Sequence, residues 1–356
     1  MADHSAEPPA RGPLTCLAQG ETIVTALYQV ASALPNRPAL LTRGFGRSAA
    51  VPVTYGQLLE NVERFAETLS FCGARRGETV ALQVPNCWGS AALILACLRA
   101  GLVALPISPS VGEQDLEEIL AATDADMCVV FDTYLGQRNA ETLLAVSKRL
   151  PALRHRVVVG NAAATGALDF ERLFRHRQRL WQAGPARLGR LPRDTDGACL
   201  APSPAGLTTS TVRLYRHRDL YAQALSYLDG TAAEDRPAPV GGPGPGWEVF
   251  GTTYPLALTA GLVTAVWQPL LQAGTGVFMD EFHAERCLEQ FRQAGVTRML
   301  CPAEHWSEMV DAQRAKPRKL RRLCDAATLG PDVPQELADR VRDAFGVCLR
   351  VLAAPA

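Results

Sequence analysis

Net charge is the first thing missing from this 356-residue chain: 36 basic residues are matched by 36 acidic ones. The balance excludes a general electrostatic attraction to nucleic acid or to an anionic membrane, so any ligand has to be argued from local residues. Metal and redox motifs are missing as well. The ten cysteines form no C-x-x-C pair and no cysteine–histidine cluster at ligand spacing, and they read as reduced core residues. The opening stretch MADHSAEPPARGP has no basic segment followed by an apolar one. It reads as no secretory leader, so residues 1–20 are expected to be a disordered tail and the cytoplasm is the expected location. A clean membrane span is also lacking. Val249 to Met279 carries no charged residue and is long enough to cross a bilayer. However, Pro255, Gly261, Pro269, Gly274 and Gly276 cut it into a strand, a helix and a strand, which predicts a buried core helix from Leu258 to Leu271.

What is present is 47% hydrophobic residues and enough length to bury a large core, as one large domain or two intimate subdomains. From residue 54 onward, helix-period and short strand-like segments alternate. Thr54 is placed to cap a helix whose apolar positions Leu58, Val62, Phe65, Ala66 and Leu69 recur at helical spacing, with Gly73 to end it. A strand over "VALQVPN", a helix from Trp88 to Ala100, the strand "GLVALPIS", a helix from Gly112 to Ala122 and the strands "MCVVF" and "HRVVVG" follow. Such alternation predicts an α/β fold with largely parallel sheets flanked by helices and a ligand crevice beyond the carboxyl ends of the strands. The rhythm breaks twice, at an arginine-rich stretch near 160–195 and at a Pro/Gly-rich surface loop over 231–246, then resumes to "CLRVL". The run "RAKPRKLRR" (Arg314–Arg322) reads as a solvated charged face.

The order of segments resembles the adenylate-forming superfamily, the acyl-CoA and aryl-acid ligases and related adenylation domains. The resemblance is carried by Thr54–Leu120 ("TYGQLLENVERF…VALQVPN…LRAGLVALPISPS"), by "TYPLALTAGLV", by "FHAERCLEQFRQAGVTRMLCP" and by "TLGPDVPQELADRVRDAFGV". It implies the layered α/β large N-terminal domain of those enzymes over residues 21–352. It also implies an activity in which a carboxylate reacts with ATP and Mg to give an acyl-adenylate. Chemistry of that kind needs backbone N–H donors, a cation and a metal ligand around the phosphates.

The family's phosphate loop, roughly S-G-T-T-G-x-P-K-G, falls on "APSPAGLTTSTVRLYRHRDL" when His217–Leu220 is matched to its H-R-N-L end. In that register Thr211 stands at the lysine position, Ala205, Thr208 and Val212 stand at glycines, and Pro204 offers no N–H. The remnant nucleotide-binding set is Ser203, Gly206, Thr208, Thr209, Ser210 and Thr211, joined by Gly330 and Pro331 in the segment that approaches adenine. Arg213 is the nearest cation. The remnant substrate pocket is Tyr254, Leu258 and Gly261, with Ala257 and Leu258 where the family has an aromatic residue and a histidine. No catalytic residue, metal ligand or certain cofactor is assigned.

In the same register the family's Y-G pair falls on Ala353 and Ala354, and the small C-terminal catalytic domain has no counterpart. A protein partner covering the final sheet edge is therefore expected. Three functions follow. The first is a degenerate ligase-like protein without stand-alone ligase activity that binds a small carboxylate, a nucleotide or a protein. The second is half of a split ligase completed by another chain, and the third is a truncated product with no function. Elsewhere His155, His176, His283 and His305 lie in separate segments with no nucleophile motif, and Cys87 reads as a helix-packing cysteine.

Overall fold

The protein is described by a computed structural model covering residues 22–43, 50–163, 165–174, 188–202, 212–229, 247–330 and 333–352. Two seven-stranded sheets form its frame. In the first, β3 (Thr79–Gln83), β4 (Val103–Ile107), β5 (Met127–Phe131), β6 (His155–Val159), β7 (Leu168–Asp169) and β8 (Gly197–Pro202) run parallel in the order β7-β6-β5-β3-β4-β8, and β9 (Val212–Arg216) adds antiparallel to β8. In the second, β1 (Pro38–Arg43), β10 (Val249–Thr252), β11 (Thr275–Phe278), β12 (Arg298–Leu300), β13 (Asp325–Leu329) and β14 (Leu349–Leu352) run parallel as β14-β13-β12-β10-β11-β1. There β2 (Ala50–Thr54) is antiparallel to β1. Each sheet is thus six parallel strands closed by one antiparallel edge strand.

The strands alternate strictly between two buried faces, as a parallel sheet covered on both sides requires. In β12 and β13, Met299 and Ala326 face an outer core while Leu300 and Ala327 face the central one. Val80 and Leu82 of β3 face the central core, and Ala81 faces the outer core of its own sheet. Three hydrophobic clusters result, and they define five layers. Between the sheets lie α1 (Ile23–Ala33), α2 (Tyr55–Phe71), α3 (Trp88–Ala100), α6 (His217–Asp229), α7 (Thr259–Leu262) and α8 (Gln268–Gln272). Outside the first sheet lie α4 (Glu113–Ala122) and α5 (Asn139–Ser147), and outside the second lie α9 (Ala284–Ala294), α10 (Ala303–Ala315) and α11 (Gln335–Phe345).

Local signals place the elements as expected at several points. Thr54 caps α2 in a capping box with Gln57. Gly101 ends α3 in the left-handed conformation, φ 73°. The uncharged stretch after β10 is a core segment, but it is not one regular helix: α7 passes through a π-helical turn, Val263–Trp267, into α8. Packing explains the tight fit there. A Cβ on Gly276 of β11 would overlap the Ala265 carbonyl of that turn, so a glycine is needed where helix and strand backbones meet. No helix among the described residues is long and apolar enough to cross a membrane. The tail 1–20 and the loop 231–246 lie outside the described residues, as does 175–187 of the arginine-rich stretch.

Candidate functional site

Because β10–β13 are parallel, the residues that follow them collect at one rim of the second sheet. Thr253, Tyr254 and Pro255 follow β10, Asp280 and Glu281 follow β11, Cys301 and Pro302 follow β12, and Gly330 follows β13. Asn86, at the end of β3, ties this rim to the first sheet. Its backbone N–H donates to Asp280 Oδ1 at 2.7 Å, and its side-chain oxygen accepts from Leu256 N at 2.9 Å. One residue, through its backbone N–H and its side-chain oxygen, therefore holds the loops after β11 and β10 against the first sheet. The "VPN" strand end had been visible in the sequence without this bridging role.

The crevice is polar but neutral at its centre. His305 Nδ1 and Thr253 Oγ1 are 2.8 Å apart, and the Phe282 ring stacks on the imidazole at 3.7 Å. Burial holds His305 below the ordinary histidine range despite Glu304 and Glu308 nearby, so it is uncharged at neutral pH. Burial pushes the Cys301 thiol up to about 12, against a hydrogen bond from Thr253, which rules out a thiolate nucleophile there. The same effect raises the Cys87 thiol to about 11. Cys87 is a buried residue at the start of α3, as its packing role requires.

The sequence-derived pocket residues divide. Tyr254 and Gly330 come together: the Tyr254 hydroxyl accepts from Leu329 N at 3.4 Å, and burial keeps that phenol protonated. Gly330 has φ 154° and open space where a Cβ would stand, so a flat ring can lie against its backbone. Leu258 is half-buried at the start of α7. Gly261 serves close packing, because a Cβ there would overlap the Pro255 carbonyl. Ser203, Gly206, Thr208, Thr209, Ser210, Thr211 and Pro331 lie outside the described residues. The first six fall in sequence between β8 and β9, whose register runs from Pro202–Val212 to Gly197–Arg216. Just beyond it His217 is fully buried, with neither ring nitrogen bonded among the described residues, and burial lowers its pKa to about 4.

Charge decides what the crevice can hold. The loops after β10, β11 and β12 contribute Asp280 and Glu281, and Glu304 occupies the first turn of α10; these loops contain no lysine or arginine. An acidic residue at that helix start satisfies the positive end of the helix dipole, the feature that otherwise attracts phosphate. Among the described residues no three His, Cys, Asp or Glu side chains come together to hold a metal ion. The described residues of these loops thus offer carboxylates and neutral hydrogen-bonding groups but no cation.

Comparison with known proteins agrees with this fold. Residues 27–199 match the family model of AMP-binding enzymes. Over 318 residues the chain is 23% identical to the medium-chain fatty-acid–CoA ligase of Escherichia coli, covering 88% of this chain and 52% of that protein. Over 332 residues it is 27% identical to the salicyl-AMP ligase/salicyl-S-ArCP synthetase of Mycobacterium tuberculosis, covering 92% and 54%. It thus spans about half the length of these curated relatives. Among solved structures it superposes on the anthranilate CoA ligase AuaEII in complex with anthranoyl-AMP, with TM-score 0.77, 17% identity and coverage of 96% of this chain and 60% of that one. VinN in complex with L-aspartate gives TM-score 0.72 at 20% identity, covering 94% and 76%. The chain thus carries an AMP-binding domain, relatives of it are named as acyl-CoA and aryl-acid ligases, and its two-sheet fold is that of the N-terminal domain of adenylate-forming enzymes.

Proposed function

We propose that this chain is a ligase-like binding protein: it takes the nucleoside end of a nucleotide in its crevice and does not adenylate a carboxylate by itself. The observation that carries this reading is the charge of the rim. Where a triphosphate would need cations, the strand-end loops carry Asp280, Glu281 and Glu304 and no lysine or arginine. The phosphate-loop segment adds no lysine, with Thr211 at that position. Removing the electrostatic stabilisation of a developing charge typically costs about 3–4 kcal/mol of barrier per lost donor, so an unaided adenylation would be slow. Tyr254, Leu329 and the open face of Gly330 remain suited to a flat, neutral ring.

Calorimetric titration with adenosine tests the binding half of the proposal. Adenosine should bind to the protein and lose affinity in Gly330→Val, which fills the open face. Absence of binding, or binding unaffected by that variant, overturns the assignment. The same preparations should show no carboxylate-dependent exchange of pyrophosphate into ATP.

A further inference from the structure

Most of the run Arg314–Arg322, which the sequence presents as a solvated charged face, lines a groove at the opposite rim of the second sheet, from Lys316 onward. The groove encloses about 780 Å³ between the end of α9 (Glu289–Ala294), the turn Gly295–Val296 that enters β12, and the loop Lys316–Arg322 that enters β13. That is within the size range of small-molecule clefts. Its walls hold Arg292, Lys316, Arg318, Lys319, Arg321 and Arg322 against one carboxylate, Glu289. On a chain with no net charge this is a marked concentration of one sign, and a concave site focuses such a field.

Three of the six cations already have structural work. Arg292 sits in the last turn of α9 and pairs with Glu289 at 2.6 Å. Arg318 closes the end of α10, donating to the Ala312 and Lys316 carbonyls at 3.3 and 2.8 Å. Arg322 Nη2 donates to the Trp247 carbonyl at 2.6 Å, while its buried Nε has no acceptor among the described residues. Lys316, Lys319 and Arg321 are exposed, and no carboxylate among the described residues pairs with them. The loop that carries them is held rigid. Buried Gln313 clasps Arg318 in both directions, donating to its carbonyl at 2.7 Å and accepting from its N–H at 3.0 Å.

We infer that this groove is a binding site for a small anion bearing two or more phosphate groups, separate from the crevice. A preorganised loop spares the ordering cost that weakens ordinary surface ion pairs. The concave shape, and the burial of the one aromatic residue in its wall, Phe291, disfavour a stacking platform for single-stranded nucleic acid.

The test is calorimetric titration with tripolyphosphate and orthophosphate at low and high salt. Tripolyphosphate should bind more tightly than orthophosphate and weaken as salt rises. Replacing Lys316, Lys319 and Arg321 together by glutamine should lower its affinity about 10-fold or more, since three of the six cations facing the groove are lost. The melting temperature of that variant without ligand should stay unchanged, and Tyr254→Ala in the crevice should bind tripolyphosphate like the parent. Unaltered affinity in the triple variant overturns the inference, as does equal loss in Tyr254→Ala. Binding of long polyanions such as heparin without binding of tripolyphosphate also overturns it.

Discussion

The two rims of the second sheet are built from opposite materials. At the carboxyl rim, backbone approach and hydrogen bonds from backbone N–H groups hold the loops: Asn86 bridges the sheets, Tyr254 accepts from Leu329 N, and Gly261 lets α7 pack on Pro255. At the amino rim, charge does the holding. Arg350 grips Asp325 through two bonds of 2.7 and 2.8 Å, and Arg298 reaches both Asp325 and Glu248, so one ladder of ions crosses β14, β13 and β12 to the residue before β10. The lesson concerns helix polarity as well as sheets. Parallel strands put helix starts at one rim and helix ends at the other, so acidic residues gather at the first and cations at the second. A chain without net charge is thereby sorted into an acidic, neutral-centred crevice and a basic groove.

Gly261→Val should do the most damage, because the new side chain collides with backbone that has nowhere to move. The expected loss is about 3 kcal/mol or more, read from urea unfolding. Next is pH. His217 titrates near 4 when folded and near 6.5 when unfolded, so below 6.5 the unfolded chain takes up a proton that the folded chain refuses. The stability from keeping it neutral is complete above 6.5 and is lost as pH falls toward 4, for about 3 kcal/mol in all. His217→Gln should flatten that slope; an equally steep variant would assign it to other groups.

Asp325→Ala breaks the ladder at its centre and leaves Arg350 and Arg298 without their shared partner. It should cost about 2 kcal/mol, less at high salt. Asn86→Ala removes the acceptor for Leu256 N and should cost about 1 kcal/mol, with no dependence on salt. Comparing these two in low and high salt sharpens the contrast between the rims, and equal salt dependence would erase it.

Much of the frame was legible from residue patterns. The helix from Thr54 announced itself through a cap and apolar spacing, and α3 forms over Trp88–Ala100, the residues read as a helix. The uncharged stretch from 249 was recognisable as core because prolines and glycines divide it, although the π-helical turn was not, since it answers to the backbone of β11. The sites were harder to see. Asn86 acts on Asp280 and Leu256, each more than 150 residues away, and no local spacing reports such a bridge. The cations at 292 and 316–322 form a groove only because β12 and β13 are neighbours, while in sequence the second group is simply a charged run. Tyr254 and Gly330 were singled out from the sequence through the family's segment order, and the structure adds a bond from Leu329 N, the residue before Gly330, to the Tyr254 hydroxyl.

The central claim is that the adenylate-forming fold is present without stand-alone ligase chemistry. Carboxylate-dependent exchange of radiolabelled pyrophosphate into ATP, measured with Mg across fatty, aryl and amino acids on protein that melts cooperatively, tests it most directly. Exchange at the level of the no-carboxylate blank is the predicted result. Robust exchange with any one acid would contradict it and would place a working triphosphate site on this chain.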